Sequence, residues 1–155
     1  MRLTIFTDYA LRVLIYLGAH HDEERLATIS DVAIAYGISQ NHLMKVVHQL
    51  AKLGYVETIR GKGGGMQLAR SPAQINLGAV VRGTEDDLAL VECFQEGAPK
   101  CPIVSACTLQ GILAQSLQAF LDVLDGHTLD DLLEPQTRLV KIYREASEAG
   151  QPGRT

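Results

Sequence analysis

Between Thr28 and Leu50 two short helical segments are separated by a single glycine, and a glycine-rich hairpin follows directly. Thr28 with Asp31 three residues on is the reciprocal pairing of a capping box, so a helix opens there. Gly37 breaks it. Ser39 is the next N-cap candidate, for a helix from Gln40 to Leu53. Gly54, tolerant of positive φ, ends that helix. Small Ala33 allows close approach, and Val32, Tyr36, Ile38, Leu43 and Val46 stand where the inner faces must meet. The pattern predicts a helix-turn-helix over about 28–51, against the plainer alternative of an αα-hairpin in an ordinary helical protein.

The hairpin decides between them. Tyr55–Arg60 is β-prone, Gly61-Lys62-Gly63-Gly64-Gly65 turns, and Met66–Ala69 returns. A helix-turn-helix followed by a basic-tipped hairpin is a winged helix, with its wing at about 55–69. A phosphate-binding enzyme loop fails on context, because the run lacks the Gly-Lys-Ser/Thr ending and does not open a helix. Around this unit, Arg2–His21 reads as a first helix and Asn76 as the cap of a short helix through Val81. A long helix follows from Thr108 to Leu124, stopped at Gly126, and Thr128 caps a further short one. The fold class is mainly α with a small β-hairpin: a winged helix-turn-helix plus a long C-terminal dimerisation helix. The divisions are 1–83 for DNA binding, 84–107 for a cysteine loop, 108–148 for the dimerisation and C-terminal helices, and 149–155 for a flexible tail.

The dimer is expected because the long helix is apolar on two sides. Leu109, Leu113, Leu117, Phe120 and Leu124 form one stripe, and Ile112, Ala119 and Val123 another. One side suits the chain's own wing domain and the other a partner's helix, unless the helix is the core of a monomer.

Net charge is −4, which on average argues against a nucleic-acid partner. The distribution reverses this. Residues 1–84 carry nine Lys/Arg against six Asp/Glu, whereas 85–155 carry five against twelve. DNA feels the local field, since screening limits its range to ~10 Å. Gln40, Asn41 and His42 occupy the first turn of the candidate recognition helix, beside Ser39 and with Lys45 a turn further on. Thr28 and Ser30 open the preceding helix, where a phosphate would be favoured. Arg60 and Lys62 neutralise phosphates, while Gly63 and Gly64 let backbone N–H groups approach them. For each residue the bland reading is capping or solvation. No apolar run reaches the ~18–20 residues of a membrane span, and no signal-type start is present, so a cytoplasmic protein without a membrane partner is expected.

All three cysteines, Cys93, Cys101 and Cys107, lie within fifteen residues. An odd number argues against a disulfide framework. Thiolates select iron–sulfur centres, zinc or copper(I), and paired zinc-type spacing is absent. Iron–sulfur ligation, zinc, redox thiols and an incidental cluster all remain open on spacing alone. An enzyme using a reactive cysteine would need a nearby base, and the loop contains no histidine.

Several segments together resemble a known family: Leu3-Thr4-Ile5-Phe6-Thr7-Asp8-Tyr9-Ala10-Leu11-Arg12, Ile38-Ser39-Gln40-Asn41-His42-Leu43 with Lys45, Gly54-Tyr55-Val56 and the Arg60–Gly65 wing. They look like the NsrR/IscR family of winged-helix iron–sulfur transcriptional repressors, over about 1–133. Leu90-Val91-Glu92 and the three cysteines look most like its NsrR-type, nitric-oxide-sensing branch. The resemblance implies a homodimer on near-palindromic double-stranded operator DNA, with one iron–sulfur cluster per subunit, [2Fe–2S] or [4Fe–4S], on Cys93, Cys101 and Cys107. It implies Asp8 from the partner subunit as fourth ligand, with Arg12 in the cluster environment. The plain alternative for Asp8 is an i, i+4 pair with Arg12. Nitric oxide is the implied signal, releasing DNA on nitrosylation. A regulator of the IscR kind, responding to cluster supply, iron or redox state, is the alternative. The IscR-type histidine three residues after the last cysteine is Gln110 here.

Overall fold

The computed structural model describes residues 2–23, 25–97 and 101–149. Most of the proposed tail, from Gly150 onward, and Ala98–Lys100 of the cysteine loop lie outside the described residues. Six helices and one antiparallel hairpin are described: α1 (Ile5–Ala19), α2 (Ile29–Tyr36), α3 (Gln40–Lys52), β1 (Val56–Ile59), β2 (Gly65–Leu68), α4 (Leu77–Thr84), α5 (Thr108–Asp125) and α6 (Gln136–Ala149).

Helix α1 begins at Ile5, not Arg2, because Thr4 caps it. The Thr4 hydroxyl accepts from the Thr7 N–H, while Glu85 accepts from the Thr4 N–H at 2.8 Å. That last bond also ties the start of α1 to the end of α4. Helix α2 opens on the full capping box: Asp31 N–H donates to the Thr28 hydroxyl, and Thr28 N–H donates to the Asp31 carboxylate. Arg25 pairs with the same carboxylate. Burial works against the Asp31 charge, but the bonds from Arg25 and Thr28 outweigh it and hold the carboxyl below the usual carboxylate range. A depressed carboxyl pKa stabilises the fold above the unfolded value, and that gain is lost as pH falls through the folded value. Asp31→Asn is therefore expected to lower thermal stability at neutral pH by about 1 kcal/mol and to flatten the acid limb of the melting curve below about pH 4. Melts of both proteins across that range check this.

Gly37 turns the chain at φ +64°, and Gly54 follows α3 at φ +74°, both as expected of left-handed positions. The hairpin pairs Val56 with Leu68 and Ile59 with Gly65, and Ala27 bridges to Met66 on the outer edge of β2. The core is continuous through these elements: Leu14 of α1, Leu43 and Leu50 of α3, Ile75 and Leu129 are all fully buried. Each such side chain stabilises the fold by about 1.5–3 kcal/mol.

Helix α4 runs on to Thr84, beyond the expected end at Val81; the Thr84 hydroxyl donates back to the Val80 carbonyl at 2.9 Å. Helix α5 leaves the core, and its last turn is held firmly. Arg82 donates through both Nη atoms to Asp125 at 2.7 and 2.6 Å, and Asn76 Nδ2 donates to the Asp125 carbonyl at 2.7 Å. The one buried side chain of α5 is Leu121, which belongs to neither stripe expected from the sequence. Leu109, placed on the inner stripe, is 58 % exposed. The reason is that α5 packs chiefly on α4 near its C-terminal end, so its N-terminal half projects away from the core. Ile112 and Val123 are also exposed, at 59 % and 64 %. Helix α6 returns to pack on α2 and α1. Tyr143 and Tyr36 share a 2.6 Å hydrogen bond between hydroxyls, and the Tyr16 ring is tilted against that of Tyr143 at 5.0 Å between centroids. Burial pushes the Tyr16 hydroxyl up to about 12 and also raises Tyr36 and Tyr143, so this cluster is uncharged at neutral pH.

Candidate nucleic-acid interface and cysteine loop

Helix α3 is amphipathic, and its inner side is fixed by burial of Leu43, Val46, Val47 and Leu50. That leaves Gln40, Asn41, Met44, Lys45 and His48 exposed on the other side. Ser39 holds the N-cap position, but its hydroxyl makes no capping bond. At about 100° per residue, Met44 and His48 fall about 40° and 80° round from Gln40, inside the arc that ends near Lys45 at about 140°. His42 falls about 200° round. It lies toward α1, with its ring 6.3 Å from that of Tyr9. His42 thus flanks the face that its place at the helix start would suggest, and Met44 and His48, which residue type alone does not mark, lie on that face between Gln40 and Asn41. Counting the helical period outward from Leu43 and Leu50 places both outside the buried stripe.

Ser30 is exposed at the start of α2. Thr28 is not equally available: its hydroxyl donates to Asp31 at 2.8 Å and its N–H donates to the same group. The capping box therefore occupies both of Thr28's own donors.

Arg60 and Lys62 stand exposed at the wing tip. Among the described residues, neither they nor Lys45 nor Lys52 has an ion-pair partner within 4 Å. Gly61 and Gly63 turn the tip at φ +104° and +79°. Gly64 is needed for a different reason: a Cβ there would sit 2.3 Å from the Ile59 carbonyl oxygen. The hairpin is also joined to the end of α3. Arg70 Nε donates to the Gly54 carbonyl at 2.8 Å and Nη2 to the Leu53 carbonyl at 3.2 Å, with the guanidinium 5.1 Å above the Tyr55 ring. It satisfies carbonyls that a helix end leaves open. Nothing in the local sequence pattern marked Arg70, because its partners are sixteen and seventeen residues away.

The three cysteines are free thiols, Cys93 and Cys107 half-buried and Cys101 exposed. Cys93 sits in a 3₁₀ turn (Glu92–Phe94), and a second turn (Val104–Ala106) leads from Cys101 to Cys107. Cys107 is the N-cap of α5, the helix end at which the macrodipole favours negative charge. Among the described residues, no three His, Cys, Asp or Glu side chains are gathered closely enough to hold a metal ion. Uncomplexed thiols have no mutual attraction, and it is metal binding that gathers such ligands. The donor set itself, three accessible thiols uncommitted to disulfides, fits a thiolate-ligated iron–sulfur centre in its chemistry.

Asp8 and Arg12 form the i, i+4 pair: Arg12 Nη2 is 2.9 Å and Nε 3.1 Å from the Asp8 carboxylate. That bond, against burial, raises the Arg12 pKa. The Arg12 guanidinium also lies 5.6 Å over the ring of Tyr36, the last residue of α2. Asp8 is thus engaged within its own subunit in this structure, one side chain away from the helix-turn-helix.

No helix among the described residues is long and apolar enough to cross a membrane. The chain is 52 % identical over 145 residues to an HTH-type transcriptional regulator NsrR of Geobacillus kaustophilus, covering 94 % of this chain and 98 % of that one. It is 49 % identical over 144 residues to the NsrR regulator of Bacillus subtilis, covering 93 % and 98 %. The structure of CymR, the global cysteine regulator of B. subtilis, superposes with a TM-score of 0.69 at 26 % identity, covering 85 % of this chain and 95 % of that one. These relatives are regulators, not enzymes, and the sequence model of the Rrf2 family, iron-dependent transcriptional regulators, matches residues 3–135: the chain is a transcription regulator belonging to the Rrf2 family.

Proposed function

We propose that the chain is a nitric-oxide-sensing repressor that binds near-palindromic operator DNA as a homodimer while its iron–sulfur cluster is intact, and releases it on nitrosylation. The observation that carries this reading is the pairing, in one NsrR-like chain, of an exposed cationic winged-helix face with three free thiols on the loop that leads into α5. Cys93, Cys101 and Cys107 would hold the cluster, with Asp8 of the partner subunit as fourth ligand. When bound, such a centre supplies iron with which nitric oxide reacts.

The remaining work falls to the chain's own residues. The exposed apolar side of α5, including Ile112 and Val123, covers the same helix of a second copy. The Arg82–Asp125 pair makes the far end of α5 rigid with α4, so the cysteine loop and the winged helix are joined by one stiff element. A two-fold dimer then sets the two α3 helices about 34–36 Å apart, one turn of DNA. Gln40, Asn41 and Lys45 address base edges and Ser30, Arg60 and Lys62 the phosphates. Asp8 would help to hold the partner's cluster; in this structure it pairs with Arg12. Arg12 in turn connects Asp8 to Tyr36 and the helix-turn-helix.

An anaerobic absorption spectrum titrated with nitric oxide tests this. The expected result is a visible sulfur-to-iron band that bleaches in step with loss of operator affinity. A protein still colourless after reconstitution with iron and sulfide overturns it. The iron-dependent character of the Rrf2 family favours one second reading, a regulator responding to cluster supply, iron or redox state. Loss of DNA binding to oxygen or iron depletion, with indifference to nitric oxide, would select it.

A further inference from the structure

We infer that Met44 reads thymine methyl groups in the major groove and is a determinant of operator sequence; this rests on the DNA-binding reading of α3. Met44 is 51 % exposed, between Gln40 and His48 on a helix face otherwise built of polar and cationic side chains. The buried side of α3 is made by Leu43, Val46, Val47 and Leu50, and Met44 stands outside that stripe. Its neighbours on the face are Gln40 and Asn41 toward the N-terminus and Lys45 and His48 beyond, so a duplex drawn in by the cations meets Met44 wherever Gln40 or Asn41 reaches a base. The major groove offers one apolar group for such a side chain, the C5-methyl of thymine. Gln and Asn pair with adenine in bidentate fashion. A face carrying Gln40, Asn41 and Met44 together is therefore suited to A·T-rich steps, with the amides on adenine and the thioether against a thymine methyl.

The test begins with iron-loaded full-length protein and selection of a preferred duplex from random-sequence DNA. Each thymine in the selected half-sites is then replaced by uracil, which lacks only the methyl group. The expected result is about fourfold weaker binding at one or two positions per half-site, the value of one buried methyl. In Met44→Ala that thymine–uracil difference vanishes, while the melting temperature stays at the wild-type value because the side chain is half exposed. If no thymine shows methyl dependence, or if the dependence survives in Met44→Ala, the inference is wrong. If no sequence is enriched at all, the DNA-reading role of α3 fails and the inference falls with it.

Discussion

A Cys101→Ala protein is expected to fold normally, to carry no iron–sulfur centre and to bind its operator no better than unrelated DNA, a loss on the order of 10³-fold or more. Cys101 is exposed on the loop before α5, so removing its sulfur opens no cavity and leaves the melting curve of the cluster-free chain unchanged. With three thiols available, loss of one leaves two, too few for the proposed ligand set even with Asp8. Iron and sulfide content, far-ultraviolet circular dichroism and binding to a labelled operator measure the three parts separately. Undiminished operator affinity in a variant lacking iron would sink the coupling between loop and DNA-binding face. Retained iron would move the ligand set elsewhere.

The second large effect is expected at Gly65, the first residue of β2. Strand propensity alone would favour alanine over glycine there. The packing argues the opposite way. A Cβ on Gly65 would lie 2.5 Å from the Ala27 carbonyl oxygen and 2.8 Å from the Leu26 Cβ. The same carbonyl accepts the Met66 N–H at 2.7 Å, so Ala27 cannot retreat without giving up that bond. Gly65→Ala is expected to cost about 1–3 kcal/mol, as overpacking does, and to lower the melting temperature by about 3–10 °C. Because Ala27 holds the outer edge of the wing, operator affinity should fall as well, through displacement of Arg60 and Lys62. A thermal melt at or above the wild-type value would show that the Ala27 segment yields freely.

What was legible in the sequence was local. The capping box at Thr28 and Asp31, the left-handed turn at Gly37, the stop at Gly54 and the glycine tip of the wing each depend on residues a few positions apart, and all are present in the fold. The winged helix follows from them. The joints between elements were not legible. Tyr36 meets Tyr143 across 107 residues and Arg82 meets Asp125 across 43, and no periodicity marks either pair. The same limit explains α5: its stripes showed two apolar sides, but only the placement of α4 determines that Leu121 is buried and Leu109 is not. In the candidate site, residue type points to His42 at the helix start, whereas the burial of Leu43 and Leu50 turns Met44 and His48 outward beside Gln40 and Asn41. The position of Thr28 favours a phosphate, whereas its own donors are engaged by Asp31.

The bonds from Arg70 to the carbonyls of Leu53 and Gly54 have a thermodynamic consequence. They connect the end of α3 to the segment just after β2, so the two parts proposed to contact DNA are one body before any DNA arrives. Ordering entropy is then spent during folding of the free protein and not at association. Binding to a short operator duplex should accordingly show a heat-capacity change that matches the interface area alone, without the larger excess that accompanies folding on contact.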